Sequence, residues 1–270
     1  MSEQKNHFTH ESLSLNQAHS YSLLLQINAE SFNYAIASGK QLLAWAENYS
    51  LDELKDPKIL RDTLTANYKQ VIVGLASTGF TLLPKGLFDK DHLVDVARML
   101  DVHDNEKVHF QSVNSDNVII YKVDQELTAN MNDFDAPVIN YKAKGWIKAI
   151  ANNFPLDKNL YVNVADETVE FVNFHNQSLR FYNHFNFKNH EELAYYCAFV
   201  AQDLKLDPQE VTIIISGEIS YGDRCFTFLA DFFKEVKLSL IEPLDLPQQV
   251  KAHQILTIAA LSLCASSEED

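Results

Sequence analysis

The sequence predicts an α/β protein made of two similar halves, each carrying a mixed sheet. Three observations predict it. Short alternating or continuously apolar runs come in threes and then give way to helical periodicity. The order βββαβα occurs twice, offset by about 140 residues, far beyond the repeat lengths of solenoids. Val211–Ile215 is an uninterrupted run of β-branched residues, as expected of a strand buried on both faces.

In the first half, Ser20–Ile27 and Ser31–Ala37 read as a hairpin. Lys40–Glu47 reads as a third strand, although its pattern also suits a helical turn. Pro57–Tyr68 is predicted as a helix, with Leu60, Leu64 and Tyr68 in line and proline well placed at its start. Val71–Leu75 is an apolar strand, and Gly74–Gly79 is expected to be a hairpin between two strands. Leu93, Val96, Ala97 and Leu100 share one face of a helix predicted over Leu87–Leu100. Val108–Val113 and Asn117–Val123 form a second hairpin, joined by Asn114-Ser115-Asp116. A helix near Asp124–Met131, a strand at Pro137–Asn140 and a helix at Lys144–Asn153 close the half.

The second half reads more plainly. Asn159–Ala165, Thr168–Phe174 and Ser178–Phe185 are three short runs with tight turns, an antiparallel meander. A helix over Asn189–Leu204 follows, with Leu193, Tyr196, Cys197, Val200 and Leu204 at helical spacing. Asn189 suits its N-cap, and Glu191 and Glu192 suit the dipole at its first turn. Val211–Ile215 is the next strand, Asp223–Phe233 the next helix, Val236–Leu240 a short strand and Gln248–Cys264 the last helix. Asn152–Asn159, with Pro155, is the natural junction. The expected domains are residues 1–152 and 153–270.

Composition excludes several classes. With 46% hydrophobic and 22% charged residues, the 270-residue chain has ample core material and is not broadly disordered. A net charge of -15 repels phosphate backbones and anionic lipid, so neither nucleic acid nor a membrane surface is an expected partner. Only 7 glycines argue against a glycine-rich nucleotide enzyme. Cys197, Cys225 and Cys264 show no CxxC spacing, which points to a reducing compartment. MSEQKNHFTHES has no apolar core of a signal peptide, and Ile255–Ala265 is too short to span a bilayer. The expected location is the cytoplasm.

A three-stranded meander followed by αβαβ, present twice, resembles the actin-like ATPase (RNase H-like) fold. More closely, the chain is similar to an uncharacterised Bacteroidetes family with that fold. The resemblance rests on GFTLLPKGLF at Gly79–Phe88, HEELAYY at His190–Tyr196 and VTIIISGEI at Val211–Ile219. It implies two hairpin turns that cradle ATP phosphates between the halves, an acidic metal holder, and a glycine pair near adenosine.

Those places are poorly filled. Where the first turn implies DxGxxx, the chain has Gln26-Ile27-Asn28-Ala29-Glu30-Ser31. Where the second implies DxGGGT, it has Asn163-Val164-Ala165-Asp166-Glu167-Thr168, matching only at Thr168. Asp166 and Glu167 place negative charge where phosphate should sit. At the adenosine position, Ser216-Gly217-Glu218 keeps one glycine of two. Asn28, Asn163, Asp166, Thr168 and Gly217 are therefore expected to mark a remnant nucleotide site in an interdomain cleft, with no cofactor bound. Replacing Asp166 or Gly217 is expected to change stability by no more than about 1 kcal/mol, as for surface turns.

Other chemistries lack their residues. No GxSxG, HExxH or GxxxxGK[ST] occurs. The first strand has no carboxylate for a two-metal nuclease. His175, His184 and His190 fall on a turn, a strand and a helix start, with no cysteine or carboxylate pair at matching spacing, so no metal is expected. Aromatics crowd Phe171–Phe187, and any that escape the core would mark a protein-binding surface.

The leading expectation is a non-catalytic pseudo-ATPase that binds a cytoplasmic protein or a small ligand. The alternatives are a divergent ATPase or small-molecule kinase, and a self-associating homo-oligomer.

Overall fold

The computed structural model describes residues 6–129, 134–135, 137–165 and 167–265. Contacts divide the chain into two compact units. One comprises Met1–Lys148, Pro243–Gln248 and Ile258–Asp270; the other comprises Ala149–Glu242 and Gln249–Thr257.

The first unit begins with β1 (His7–Thr9), then β2 (Ser22–Ile27), β3 (Ser31–Ser38) and β4 (Gln41–Ser50). Two single-turn helices follow, α1 (Asp52–Lys55) and α2 (Arg61–Leu64), then β5 (Gln70–Leu75). The helix predicted over 57–68 shrinks to α2 because the Glu53 carboxylate accepts the N–H groups of Lys58, Ile59 and Leu60, which holds that stretch as a turn. Leu60 and Leu64 are nonetheless buried, as their spacing requires.

Next come β6 (Gly79–Pro84), α3 (Leu93–Ala97), β7 (Glu106–Ser112), β8 (Asn117–Asp124), α4 (Gln125–Ala129), β9 (Val138–Tyr141) and α5 (Lys144–Ala151). The main sheet runs β1-β4-β3-β2-β5-β9, and β6-β8-β7 form a separate antiparallel sheet. The expected hairpin at 74–79 is thus corrected. β5 and β6 lie in different sheets, and the chain leaves the main sheet at Leu75 to build an insert. The predicted long helix at 87–100 is likewise broken, into α3 flanked by 3-10 turns at Lys85–Leu87, Lys90–His92 and Arg98–Leu100. Its inward face is right in phase, since Leu93, Val96, Ala97 and Leu100 are the half-covered positions. Resting on a three-stranded sheet, it has too little apolar surface to bury any of them fully.

The second unit contains β10 (Asn159–Ala165), β11 (Thr168–His175), β12 (Ser178–Asn186), α6 (His190–Asp203), β13 (Thr212–Gly217), α7 (Arg224–Ala230) and β14 (Glu235–Leu238). α8 (Ala252–Ala259) continues as a 3-10 turn to Cys264. The sheet order is β12-β11-β10-β13-β14. It repeats β4-β3-β2-β5-β9 strand for strand, with the same antiparallel meander and the same two parallel additions. β2 and β10 are the central strands. Leu23, Leu24, Leu25 and Ile27 are fully buried, as a continuous apolar run between two neighbours demands. The second core gathers Val162, Val169 and Phe171 from the meander, Leu193, Cys197 and Val200 from α6, and Ile213 and Ile215 from β13.

Candidate functional site

Asn163 lies on β10, opposite Glu170 of β11 and in parallel register with Ser216 of β13. Strand alternation turns all three side chains to one face. There Asn163 Nδ2 donates to Glu170 Oε2 at 2.8 Å, and the Ser216 hydroxyl donates to Asn163 Oδ1 at 3.2 Å. The Tyr182 hydroxyl, from β12, donates to Glu170 Oε1 at 2.9 Å. All four residues are 1–5% exposed. A buried carboxylate is costly unless donors surround it, and these donors do so.

Gly217 follows directly. Its φ is +92°, and a Cβ placed there would lie 1.9 Å from the Val164 carbonyl oxygen and 2.9 Å from Asn163 Oδ1. The next residue, Glu218, donates its N–H to that same Val164 oxygen at 2.7 Å. The glycine therefore lets β13 close against the end of β10. The expectation that its replacement costs little is overturned: this is a close backbone approach in the left-handed region, where a side chain has no room.

Thr168 opens β11, and its hydroxyl donates to the Ala165 carbonyl at 3.0 Å, closing the β10–β11 turn. Asp166, in that turn, lies outside the described residues. Asn28 belongs to the first unit, at the β2–β3 turn, where its N–H donates to the Ser31 carbonyl at 2.8 Å. In the repeated sheet order Gln26 takes the place of Asn163: it faces Gly74 as Asn163 faces Ser216. Both units thus carry a buried amide where the ATPase pattern has aspartate.

Of the predicted residues, the structure brings Asn163, Thr168 and Gly217 together at one end of the second sheet. Glu170 and Tyr182 complete the network and were not singled out as site residues. A signal for Glu170 existed, since it is the one charged residue in the apolar alternation of Thr168–Phe174.

Other expected groups resolve simply. His175 Nδ1 pairs with Asp157 Oδ2 at 2.7 Å, and His190 Nε2 with Glu191 at 3.0 Å. Among the described residues no three His, Cys, Asp or Glu side chains are grouped as metal ligands. Burial pushes the Cys197 thiol far above its ordinary range, and Cys264 upward as well. No described helix is long and apolar enough to cross a membrane. The aromatic run of the meander is largely absorbed. Phe171, Phe174, Tyr182 and Phe187 are buried, and Phe181 and Phe185 pack partly buried on the core.

The sequence profile of the family described as "Protein of unknown function (DUF3822)" matches residues 10–236. The chain belongs to this family. Among solved structures, a Bacteroides thetaiotaomicron protein described as having an actin-like ATPase fold and unknown function superposes with a TM-score of 0.76 at 18% identity. The match covers 93% of this chain and 98% of that one. A structure described as the PilM-PilN type IV pilus biogenesis complex gives a TM-score of 0.64 at 12% identity, covering 90% and 98%. No curated protein matches the sequence. At such identities the likeness is one of fold. This DUF3822 protein has the actin-like ATPase fold, with mixed sheets in both units.

Proposed function

We propose that this DUF3822 protein is a non-catalytic, actin-like-fold protein of the cytoplasm that binds a protein partner. The observation that carries this reading is the closed network at Asn163. In an ATPase of this fold the equivalent aspartate and glycines face the phosphates and metal. Here both polar ends of the Asn163 amide are spent on Ser216 and Glu170, and Gly217 serves strand packing. A triphosphate brought beside the Glu170 carboxylate would meet like charge at low dielectric. Asn28 in the first unit, and Asn163, Asp166, Thr168 and Gly217 in the second, are then what each unit keeps of a nucleotide-binding pattern. The structure described as the PilM-PilN type IV pilus biogenesis complex supports the protein-binding half of the proposal, because a complex of that kind contains a chain similar in fold to this one.

The test is a thermal-shift titration with ATP and magnesium beside a phosphate-release assay. A ligand at 100 times its Kd adds about 2.7 kcal/mol, well within detection. The expected result is no shift and no phosphate above background. An ATP-dependent rise in melting temperature that disappears in Asp166→Ala would replace this reading with the divergent ATPase or kinase.

A further inference from the structure

Within the first unit, the insert meets the main sheet along a seam between β7, β8 and β9. β7 and β9 lie in different sheets, so no backbone ladder joins them. Gln111 of β7 bridges them instead. Its Oε1 accepts the Tyr141 N–H at 2.9 Å, and its Nε2 donates to Asn140 Oδ1 at 3.0 Å and to the Ile139 carbonyl at 3.4 Å. Beside this bridge Tyr121 of β8 packs on Tyr141 of β9, with ring centroids 5.1 Å apart. His109 stands two residues before Gln111, on the same face of β7. It is half-buried and lies directly opposite Tyr121, on which its ring stacks at 5.6 Å and 27°.

This histidine is badly placed to carry a charge. Its Nε2 is buried and, among the described residues, has no hydrogen-bond partner. A neutral imidazole can leave a bare lone pair there and keep its N–H at Nδ1. An imidazolium must put an N–H on both nitrogens, and the one at Nε2 would be buried without an acceptor. The elements around it supply no anion. β7 contributes Lys107, whose charge opposes a second cation; β8 contributes the Tyr121 ring, and β9 the Tyr141 ring behind it. Among the described residues, the histidines that pair with carboxylates are His92, His175 and His190. Burial, reinforced by Lys107, holds the His109 imidazole below its ordinary value of 6.5.

We propose that the seam is a pH-operated latch: neutral His109 keeps the insert seated on β9, and a proton on its ring releases β7 from the main sheet. The direction follows from proton uptake. Once the seam opens, the imidazole regains its ordinary affinity, so the open form binds more protons than the closed one. Opening is suppressed above about pH 6.5 and grows as pH falls below it. The latch concerns the insert alone and holds whether the chain binds a protein, a nucleotide or neither.

The test is amide exchange of the full chain at about pH 7 and about pH 5.5, corrected for intrinsic rates and read by NMR beside the titration of the His109 ring. The Tyr141 amide, bonded to Gln111, reports the seam, and the amides of β2 report the main sheet. Protection of Tyr141 should fall about three-fold or more between the two conditions, while β2 stays unchanged. His109→Phe keeps a ring on Tyr121 and removes the proton, and it should protect Tyr141 equally at both pH values. His109→Gln does the same should the phenylalanine variant fail to fold. His103→Gln, which removes an exposed histidine of the insert, should respond like the parent. Titration of His109 at or above its ordinary value would overturn the latch. Equal protection of Tyr141 at both pH values while His109 titrates would also overturn it, because the ring would then swing out without opening the seam. A response that survives in both His109 variants, or one shared by β2, would do so as well.

Discussion

Gly217 and Asn163 carry the residue-scale consequences. A Cβ at Gly217 would lie 1.9 Å from a backbone oxygen, which no rotamer change can relieve. Gly217→Ala should therefore lose about 3 kcal/mol or more in urea unfolding. A loss under about 1 kcal/mol would mean that the ends of β10 and β13 part easily. Asn163→Asp restores the aspartate of the ATPase pattern but faces it toward Glu170, whose oxygen lies 2.8 Å from the present amide nitrogen. Two carboxylates at that range cannot both ionise cheaply. The variant should be destabilised by about 2–4 kcal/mol in urea unfolding at pH 7. It should gain no ATPase activity. Gain of activity would show that one residue, and not the whole network, separates this chain from a nucleotide enzyme.

At the scale of elements, legibility followed the amount of apolar surface each segment buries. α6 was readable in extent and cap because it covers a five-stranded sheet. Asn189 accepts the Glu192 N–H at 2.9 Å, and Glu192 in turn accepts the Lys188 N–H at 2.8 Å. Asn189→Ala should cost about 1 kcal/mol, seen as a lower urea midpoint. The stretch 85–100 was readable in phase only. Its hydrophobic spacing names the inward face but cannot reveal that the sheet beneath has three strands. The network around Asn163 was half legible: the missing aspartate and glycines are plain in the sequence, whereas its closure by Glu170 and Tyr182 depends on cross-strand register. The insert has its own buried ion pair, Lys122 Nζ to Glu106 Oε2 at 2.9 Å, both side chains under 10% exposed. Burial pushes the Glu106 carboxyl up, but hydrogen bonds from the His103 N–H, the Thr78 hydroxyl and Lys122 outweigh it and hold the group at about 2. A carboxyl lowered from 4.5 to about 2 binds protons more tightly in the unfolded chain. Its stabilisation is complete above about pH 4.5 and fades as pH falls toward 2. The stability difference between parent and Glu106→Gln should accordingly be greatest at neutral pH and narrow through that window. A pH-independent difference would show that the carboxylate is not held in its charged form.

At the scale of the whole molecule, the sequence suggests a cut near residue 152, whereas the contacts group late segments with early ones. Pro243–Gln248 and Ile258–Asp270 belong to the first unit. Asp245 bridges to Gln41 at the start of β4, and its carbonyl accepts the Leu42 N–H at 3.2 Å. Leu261 packs so tightly on Gly74 that a Cβ there would lie 2.9 Å from its methyl carbon. The Ala260 carbonyl lies 2.5 Å from where a Cβ on Gly145 would stand, so α5 needs glycine at that crossing. Ala260 and Leu261 are fully buried. A polypeptide of residues 1–152 alone would uncover β5 and α5 along this seam and leave the start of β4 without its bridge. Each large buried side chain lost from such a seam costs about 2–5 kcal/mol, comparable to the stability of a small domain. The 1–152 polypeptide should therefore show no cooperative urea transition, while the same polypeptide joined through a flexible linker to residues 243–265 should recover one. Cooperative unfolding of 1–152 by itself, with native-like exchange protection on β5, would show that the first unit closes without the end of the chain.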